Sequence, residues 1–170
     1  MDPTSQERVV VGEIENLANW VYRVLPIQSL RQVVFVVVTT GAISLGFFAI
    51  FRASPPAVVI VGMLLGMHPF LAGVLPTRFR IDVAGNLLLK SELMASLEGG
   101  AFRSGYKHRT IVDGIVIMKP KLPRFLVWDE NTVRLQEPED AIVVWGPSTT
   151  TSMLRRKILK QFNLGSAKVG

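Results

Sequence analysis

The sequence predicts a transmembrane α-helical hairpin followed by a small, mainly β domain that is closed by a C-terminal amphipathic helix. Residues 33–51 and 53–77 are runs of 19 and 25 residues without a charged side chain. About 20 apolar residues suffice to cross a hydrocarbon core roughly 30 Å thick. After residue 78, short apolar runs rich in β-branched residues alternate with turn signals, which is typical of a small sandwich or barrel.

The composition agrees with membrane attachment and excludes several kinds of functional site. Hydrophobic residues make up 49% of the chain and the mean hydropathy is +0.36, which is high for a globular domain. The chain has no cysteine, which excludes disulfides, thiolate nucleophiles and cysteine metal sites. We therefore expect no metal site, no cofactor and no enzymatic activity.

The positive charge lies after the hairpin. Residues 1–77 hold four basic and four acidic side chains, whereas residues 78–170 hold fifteen basic and nine acidic ones. Such a surplus beside a bilayer favours anionic lipid headgroups or an acidic protein partner. Nucleic acid is not expected as a partner, because a domain attached to a membrane is less suited to binding nucleic acid than to binding lipid or protein.

Residues 1–32 predict an N-terminal amphipathic helix that lies in the membrane interface. Thr4 and Glu7 match a capping box, and Pro26 ends the pattern. Apolar residues recur between them at three- and four-residue steps. Packing of this helix on the soluble domain is the alternative. The segment also lacks the short apolar core of a cleavable signal.

The predicted hairpin occupies residues 33–77, with spans at 33–51 and 57–75 and a short turn between them. Each span carries small residues four positions apart, a spacing that lets helix backbones approach closely in lipid. These are Ala42 with Gly46 and Gly62 with Gly66. Packing of the two helices of one chain is favoured over packing between chains.

His68 is the one ionisable residue inside the second span, beside Pro69. An ionisable residue at membrane depth is a functional candidate by default. No intramembrane carboxylate is available as its partner, so a neutral histidine bonded to a backbone carbonyl, or reaching the interface, is the favoured interpretation.

The flanking charges predict the orientation. Only Arg52 lies in the connection between the spans, whereas basic residues lie on both outer flanks. Lys and Arg accumulate in cytoplasmic loops. We therefore expect two spans with both termini on the cytoplasmic side or its organellar equivalent.

Residues 78–170 predict a basic β-rich domain. Asp113-Gly114 between two β-branched runs is its strongest hairpin signal. Further strands are predicted at 78–83, 125–128, 132–135 and 141–145. Residues 87–90 are interpreted as a short strand followed by a helical turn; the alternative is a helix capped by Asn86 and ended by Gly99-Gly100. Residues 149–162 predict the closing helix.

Two basic groups are the candidate sites for an anion, a lipid or a partner protein. The first surrounds the glycines of residues 99–105, and the second lies on the closing helix. Charge-assisted hydrogen bonds from such side chains bind phosphate or carboxylate groups. A solvated loop and a helix that only caps the β core are the alternatives. The candidate residues are Arg103, Lys107, His108, Arg109, Arg155, Arg156 and Lys160.

The run Val112-Asp113-Gly114-Ile115-Val116-Ile117 is followed by Arg124-Phe125-Leu126-Val127-Trp128-Asp129-Glu130, by residues 140–145 and by the closing helix. Over residues 78–162 this order resembles bacterial membrane-anchored proteins with pleckstrin-homology-like domains. The glycine-rich segment 99–105 departs from that pattern. The resemblance implies a β domain used for binding or scaffolding, without catalysis.

The predicted function is that of a non-enzymatic integral membrane protein, an accessory, scaffold or assembly subunit of a larger membrane complex. Its expected partners are membrane lipids and other membrane-protein subunits. One alternative is a membrane-anchored module that binds anionic lipid headgroups. The other is a viral or phage envelope or matrix protein that self-assembles.

Overall fold

The computed structural model describes residues 9–18, 30–52, 55–83, 87–123, 127 and 129–162. Eleven elements are assigned there, with one 3₁₀ turn at Asp129–Asn131. They are β1 (Val9–Val11), β2 (Glu15–Asn16), α1 (Leu30–Phe51), α2 (Ala57–Gly73), β3 (Pro76–Val83), α3 (Leu87–Arg103), β4 (Tyr106–Val112), β5 (Ile115–Pro120), β6 (Val133–Gln136), β7 (Ala141–Pro147) and α4 (Ser148–Gln161).

The strands form one antiparallel sheet with the order β1-β3-β7-β6-β5-β4, and β2 also pairs with β3. The prediction of a mainly β domain is confirmed. The predicted sandwich or barrel is not what these strands form, because α3 and α4 supply the second layer. The observed architecture is an antiparallel sheet with two helices on one face.

The core lies between that face and the two helices. In β3, alternate residues point to opposite faces, and Phe79 and Ile81 on the inner face are almost fully buried. Leu97 of α3 and Leu154 and Ile158 of α4 cover them with no exposed surface. One contiguous apolar cluster therefore joins the sheet to both helices.

The β4–β5 hairpin confirms the strongest turn signal. Asp113 and Gly114 both have positive φ angles, of 50° and 75°. Positive φ at both central residues is the requirement of the two-residue turn whose twist matches that of the flanking strands. The predicted strands at 132–135 and 141–145 correspond to β6 and β7. Of the strand predicted at 125–128, residues 125, 126 and 128 lie outside the described residues, and Val127 is not in a strand.

The strand predicted at residues 87–90 is wrong, and the alternative helix is confirmed in a longer form. α3 continues through Gly99 and Gly100 to Arg103. Leu93 and Leu97, four residues apart, are fully buried against the sheet. A Cβ added at Gly100 would lie 2.7 Å from Cδ2 of Leu154, so the glycine lets α3 approach α4 closely instead of ending the helix.

The N-terminal helix predicted over residues 1–32 is wrong for the residues that the structure describes. Residues 9–11 and 15–16 are strands paired with β3, and Val11 is fully buried opposite Ile81. Three consecutive valines favour a strand more than a helix. Residues 1–8 and 19–29 of that prediction lie outside the described residues. We call residues 9–18 and 76–162 the sheet domain.

The closing helix is confirmed within one residue at each end. Its first turn carries three threonines, and two of them bond into the sheet domain. The hydroxyls of Thr151 and Thr77 lie 2.5 Å apart, and those of Thr150 and Tyr106 lie 2.9 Å apart. Burial raises the pKa of the Tyr106 phenol, and the hydrogen bond with Thr150 partly opposes that rise.

Backbone and hydroxyl contacts join the sheet domain to α1 and α2, which we call the apolar helix pair. The backbone N–H of Ser148 donates to the carbonyl oxygen of Leu75 at 2.9 Å, and the hydroxyl of Thr149 donates to that of Gly73 at 3.1 Å. The start of α4 therefore supplies donors at the end of α2, where helix carbonyls lack partners within the helix.

Candidate functional site

The apolar helix pair contains one helix that is long and apolar enough to span a membrane. Within α1, the candidate span Gln32–Phe51 has a mean hydropathy of 2.4, and its most apolar 18-residue window holds no buried residue. The second helix, α2, has 17 residues and is shorter. Arg52 ends α1 with a positive φ of 52°, and its N–H bonds to the carbonyl of Phe48.

The small residues of the helix pair have no close neighbour among the atoms that the structure describes. A Cβ added at Gly46, Gly62 or Gly66 would meet no described atom within 4 Å, and Ala42 is exposed. The predicted use of these residues to pack the two helices of one chain against each other therefore finds no contact among the described atoms.

His68 lies within the helical bounds of α2, but its side chain lies outside what the structure describes. Its proposed role as an intramembrane polar site stays a prediction.

The first basic group is split by the fold. Residues 99–103 belong to α3, so the expected flexible loop is replaced by a helix and the turn at Ser104 and Gly105. The ammonium of Lys107 lies 3.5 Å from the ring centre of Phe102, a cation–π contact. His108 is exposed on β4, the edge strand of the sheet.

Two of the candidate cations already have partners in the sheet domain. Arg109 binds both carboxylate oxygens of Glu98, at 2.9 and 3.1 Å, and this hydrogen bonding raises the pKa of Arg109. Arg155 donates to the carbonyl of Gly12 at 2.7 Å, which ties α4 to the chain after β1. A ligand for either arginine would have to displace these partners.

The remaining candidate cations, Arg103 of α3 and Arg156 and Lys160 of α4, are exposed. Lys157 of α4 is half-buried and donates to the carbonyl of Ser96 at 3.2 Å. No carboxylate lies within 4 Å of these four side chains in the part of the chain that the structure describes. Partial burial, and secondarily the positive charge of Arg103, lowers the pKa of Lys157. We call these four residues the basic helix surface.

Lys90 is a buried cation that the sequence interpretation did not single out. Its ammonium donates to the carbonyl oxygens of Pro138 and Glu139 at 2.6 and 2.9 Å, and Glu137 lies 3.7 Å away. The acidic turn at residues 137–140 therefore serves as a binding site for a lysine of the same chain. A basic residue among the leucines of α3 was the available signal.

The sheet face opposite the helices holds a cavity of about 360 Å³ that the sequence interpretation also missed. Trp145, half-buried, lines the cavity together with Arg134, its neighbour on β6, and Arg78 is its neighbour on β3. Strand alternation places all three on one face. The sequence shows which residues of each strand share a face. It does not show that Arg78, Arg134 and Trp145 are neighbours, because that depends on the strand order.

In the described residues, no group of three or more His, Asp or Glu side chains could hold a metal ion. Compared with models of known protein families, with curated proteins and with solved structures, the chain gives no significant match. The resemblance to pleckstrin-homology-like membrane proteins therefore stays a prediction.

Proposed function

We propose that this chain is a non-enzymatic integral membrane protein, in which a two-span hairpin anchors the sheet domain and binds other membrane-protein subunits. The observation that carries the proposal is the position of the helix pair within the sheet domain. β1 and β2 precede the pair in sequence and β3 follows it, yet they are hydrogen-bonded neighbours in one sheet. Both ends of the pair must therefore lie on the same side of any membrane.

The pairing of β1 and β2 with β3 supports two membrane crossings by the helix pair and argues against a single crossing. A single crossing by α1 would leave β1 and β3 on opposite sides of the bilayer, where they could not pair. The 17 residues of α2 extend about 25 Å at 1.5 Å per residue, at the short end of the range seen for spans.

A soluble core helix and a signal sequence can both be as apolar as α1, but each fits this chain less well than a membrane span. A core helix of a soluble protein is buried, whereas the apolar window of α1 is not. A removable signal sequence would take β1 with it, and Val11 of β1 is fully buried in the core. A membrane span is consistent with both observations.

The open glycine surfaces support the role as a subunit. Close helix packing in lipid depends on small residues, because apolar side chains gain little from burial there. The positions of Gly46, Gly62 and Gly66 contact nothing described in this chain. We infer that they pack against helices of other chains.

The test is affinity purification of the full chain in mild detergent from its native membrane, followed by native mass measurement. We expect stoichiometric recovery of other membrane subunits. Replacing Gly62 and Gly66 together with leucine should abolish that recovery, whereas the control pair Val58→Leu and Val61→Leu, at exposed positions of the same helix, should preserve it. A monodisperse monomer from the unaltered chain would contradict the proposal, and an assembly of this chain alone would favour the self-assembling alternative.

A second candidate function, binding of anionic lipid headgroups, is favoured by the basic helix surface. Reconstitution of the full chain in nanodiscs should show enrichment of anionic lipid that weakens with salt. Combined Arg103→Gln, Arg156→Gln and Lys160→Gln substitutions should remove the enrichment. The control Arg78→Gln, at an arginine already paired with Glu15, should not. Enrichment that ignores salt and these substitutions would exclude this function.

A further inference from the structure

The cavity over Trp145 has the size and lining of a small-molecule site. Its volume of about 360 Å³ lies within the range of roughly 300–1,000 Å³ that is typical of ligand pockets. The described lining combines apolar surface with a few polar groups, as such sites do. Those that carry the argument are Leu17, Pro76, Ile115, Glu130, Arg134 and Trp145.

The charges of the cavity lack partners in the chain as described. The other two arginines on this face are neutralised, Arg78 by Glu15 at 2.6 Å and Arg80 by Asp82 at 2.5 Å. Arg134 forms no ion pair with any described carboxylate. Glu130 lines the same cavity, yet no nitrogen of Arg134 lies within 4 Å of its carboxylate oxygens.

The location of the cavity suggests the source of its ligand. Leu17 and Pro76 form part of the lining, and the N–H of Leu17 donates to the carbonyl of Pro76 at 3.1 Å. At these two residues the chain leaves the sheet towards the apolar helices and returns from them. α2 ends at Gly73, three residues before Pro76. With the helix pair in a bilayer, this wall adjoins the headgroup layer.

We propose that the cavity binds the zwitterionic headgroup of a phospholipid, with its phosphate on Arg134 and its ammonium between Glu130 and the ring of Trp145. Arginine donates two parallel hydrogen bonds to a phosphate. An ammonium group is attracted to a tryptophan face as well as to a carboxylate. Leu17 and Ile115 contact the glycerol and the first methylenes. Only the source of the ligand, a membrane lipid, rests on the proposed membrane anchorage.

Other ligand classes match the charges less well. A purely anionic headgroup would meet the carboxylate of Glu130, and like charges in one cavity repel each other. An uncharged apolar ligand would cover two charges and give them no partner, which costs free energy. Only a ligand carrying both charges satisfies Arg134 and Glu130 together.

The test uses the full chain, delipidated and held in detergent, so that it does not depend on the number of membrane crossings. Arg103→Gln, Arg156→Gln and Lys160→Gln are present throughout, so that anionic lipid held by the basic helix surface is not counted. Binding of short-chain phosphatidylethanolamine and phosphatidylglycerol is measured by native mass spectrometry, and that of free phosphoethanolamine by calorimetry. We expect phosphatidylethanolamine to bind more tightly than phosphatidylglycerol. Arg134→Gln and Glu130→Gln should each weaken its binding about tenfold or more, because each removes one charge-assisted contact.

Three controls make the result decisive. Arg80→Gln alters an arginine on the same face that already has a partner, and it should leave binding unchanged. Arg134→Lys keeps the charge but loses the parallel pair of hydrogen bonds, so its affinity should lie between those of the unaltered chain and of Arg134→Gln. A urea midpoint for each variant separates loss of binding from loss of folding.

Each outcome of the binding measurements either supports or overturns the proposal. Equal affinity for free phosphoethanolamine, with the same dependence on Arg134 and Glu130, supports the site and assigns it a soluble zwitterion instead of a lipid. Preference for phosphatidylglycerol, or binding that is indifferent to Glu130→Gln in a folded variant, overturns the proposal. Neither result changes the topology, which is tested separately.

Discussion

Leucine and glycine have opposite surroundings in the sheet domain and in the apolar helix pair. Leu154 of α4 has no exposed surface, whereas Leu65 of α2 is 69% exposed. A Cβ at Gly100 would lie 2.7 Å from Leu154, but a Cβ at Gly62 would meet no described atom within 4 Å. The sheet domain thus satisfies its packing within the chain, whereas the helix pair leaves its apolar surface to something outside the chain.

This contrast indicates how the chain divides its tasks. The sheet domain is built from both sides of the helix pair, so its folding joins the two ends of the pair. The helix pair contributes no residue to the buried core cluster of the domain, and it leaves large apolar side chains such as Leu65 exposed. Substitutions of the same type should therefore have large effects in one region and small effects in the other.

The largest difference is expected for leucine truncation. Leu154→Ala should lower the free energy of unfolding of the sheet domain by about 3–5 kcal/mol, because it removes buried methyl groups and leaves a cavity. Leu65→Ala should leave it unchanged within about 0.5 kcal/mol. Urea unfolding of the full chain in detergent, followed by near-ultraviolet circular dichroism, measures both. Equal losses would contradict the separation of the two regions.

Removal of the buried ammonium should have the next largest effect. Lys90→Met keeps the apolar stem but leaves the carbonyls of Pro138 and Glu139 without their charged donor, at a cost of about 2–3 kcal/mol. Lys160→Met, at an exposed position, is the control and should cost almost nothing. The same unfolding measurement applies, and a neutral Lys90→Met variant would show that Lys90 does not hold the acidic turn.

Alanine substitutions at the two neighbouring glycines of α3 should change the free energy of unfolding in opposite directions. Gly100→Ala should destabilise the sheet domain by about 1–3 kcal/mol, because the new methyl group would overlap Leu154. Gly99→Ala meets only the end of Arg103, at 3.9 Å, and should stabilise the helix by about 0.5–1 kcal/mol. Thermal unfolding of both variants compares them. A stabilised Gly100→Ala variant would refute the close approach of α3 to α4.

The smallest effect concerns Tyr106, whose pKa is raised by burial. The folded state then binds more protons than the unfolded state above about pH 10, so stability should fall as pH rises from there towards the raised pKa. Tyr106→Phe should remove this dependence and cost about 1 kcal/mol at neutral pH through loss of the Thr150 contact. Unfolding midpoints measured across alkaline pH test this prediction. If stability falls with pH as steeply in Tyr106→Phe as in the unaltered chain, other groups cause the fall.

Local patterns in the sequence predicted the local elements. The Asp113-Gly114 turn, the strands β3, β6 and β7, and the bounds of α1 and α4 all follow from turn chemistry, alternation and charge-free length. The failures have a common cause. The valines of β1 were assigned to a helix from their local period, whereas pairing with β3 decides their structure. Residues 87–90 were assigned to a strand because Gly99-Gly100 limits a helix locally, whereas the fit of Gly100 against Leu154 lets α3 continue.

The candidate site was predictable only in part, for the same reason. Basic residues were found by type, but the strand order and the helix contacts decide that Arg109 binds Glu98 and that Arg155 binds Gly12. Trp145 and Arg134 are 11 positions apart in sequence and become neighbours only through the β6–β7 register. Local residue patterns do not predict that register.

The central claim is that the helix pair crosses a membrane twice and returns to the side of the sheet domain. The chain has no cysteine, so single substitutions can be labelled without a background. In intact cells, a membrane-impermeant maleimide should label Pro55→Cys before permeabilisation, and Glu13→Cys and Lys160→Cys only after it. Labelling of Pro55→Cys together with the other two positions, or of Glu13→Cys and Lys160→Cys from opposite sides, would contradict the claim.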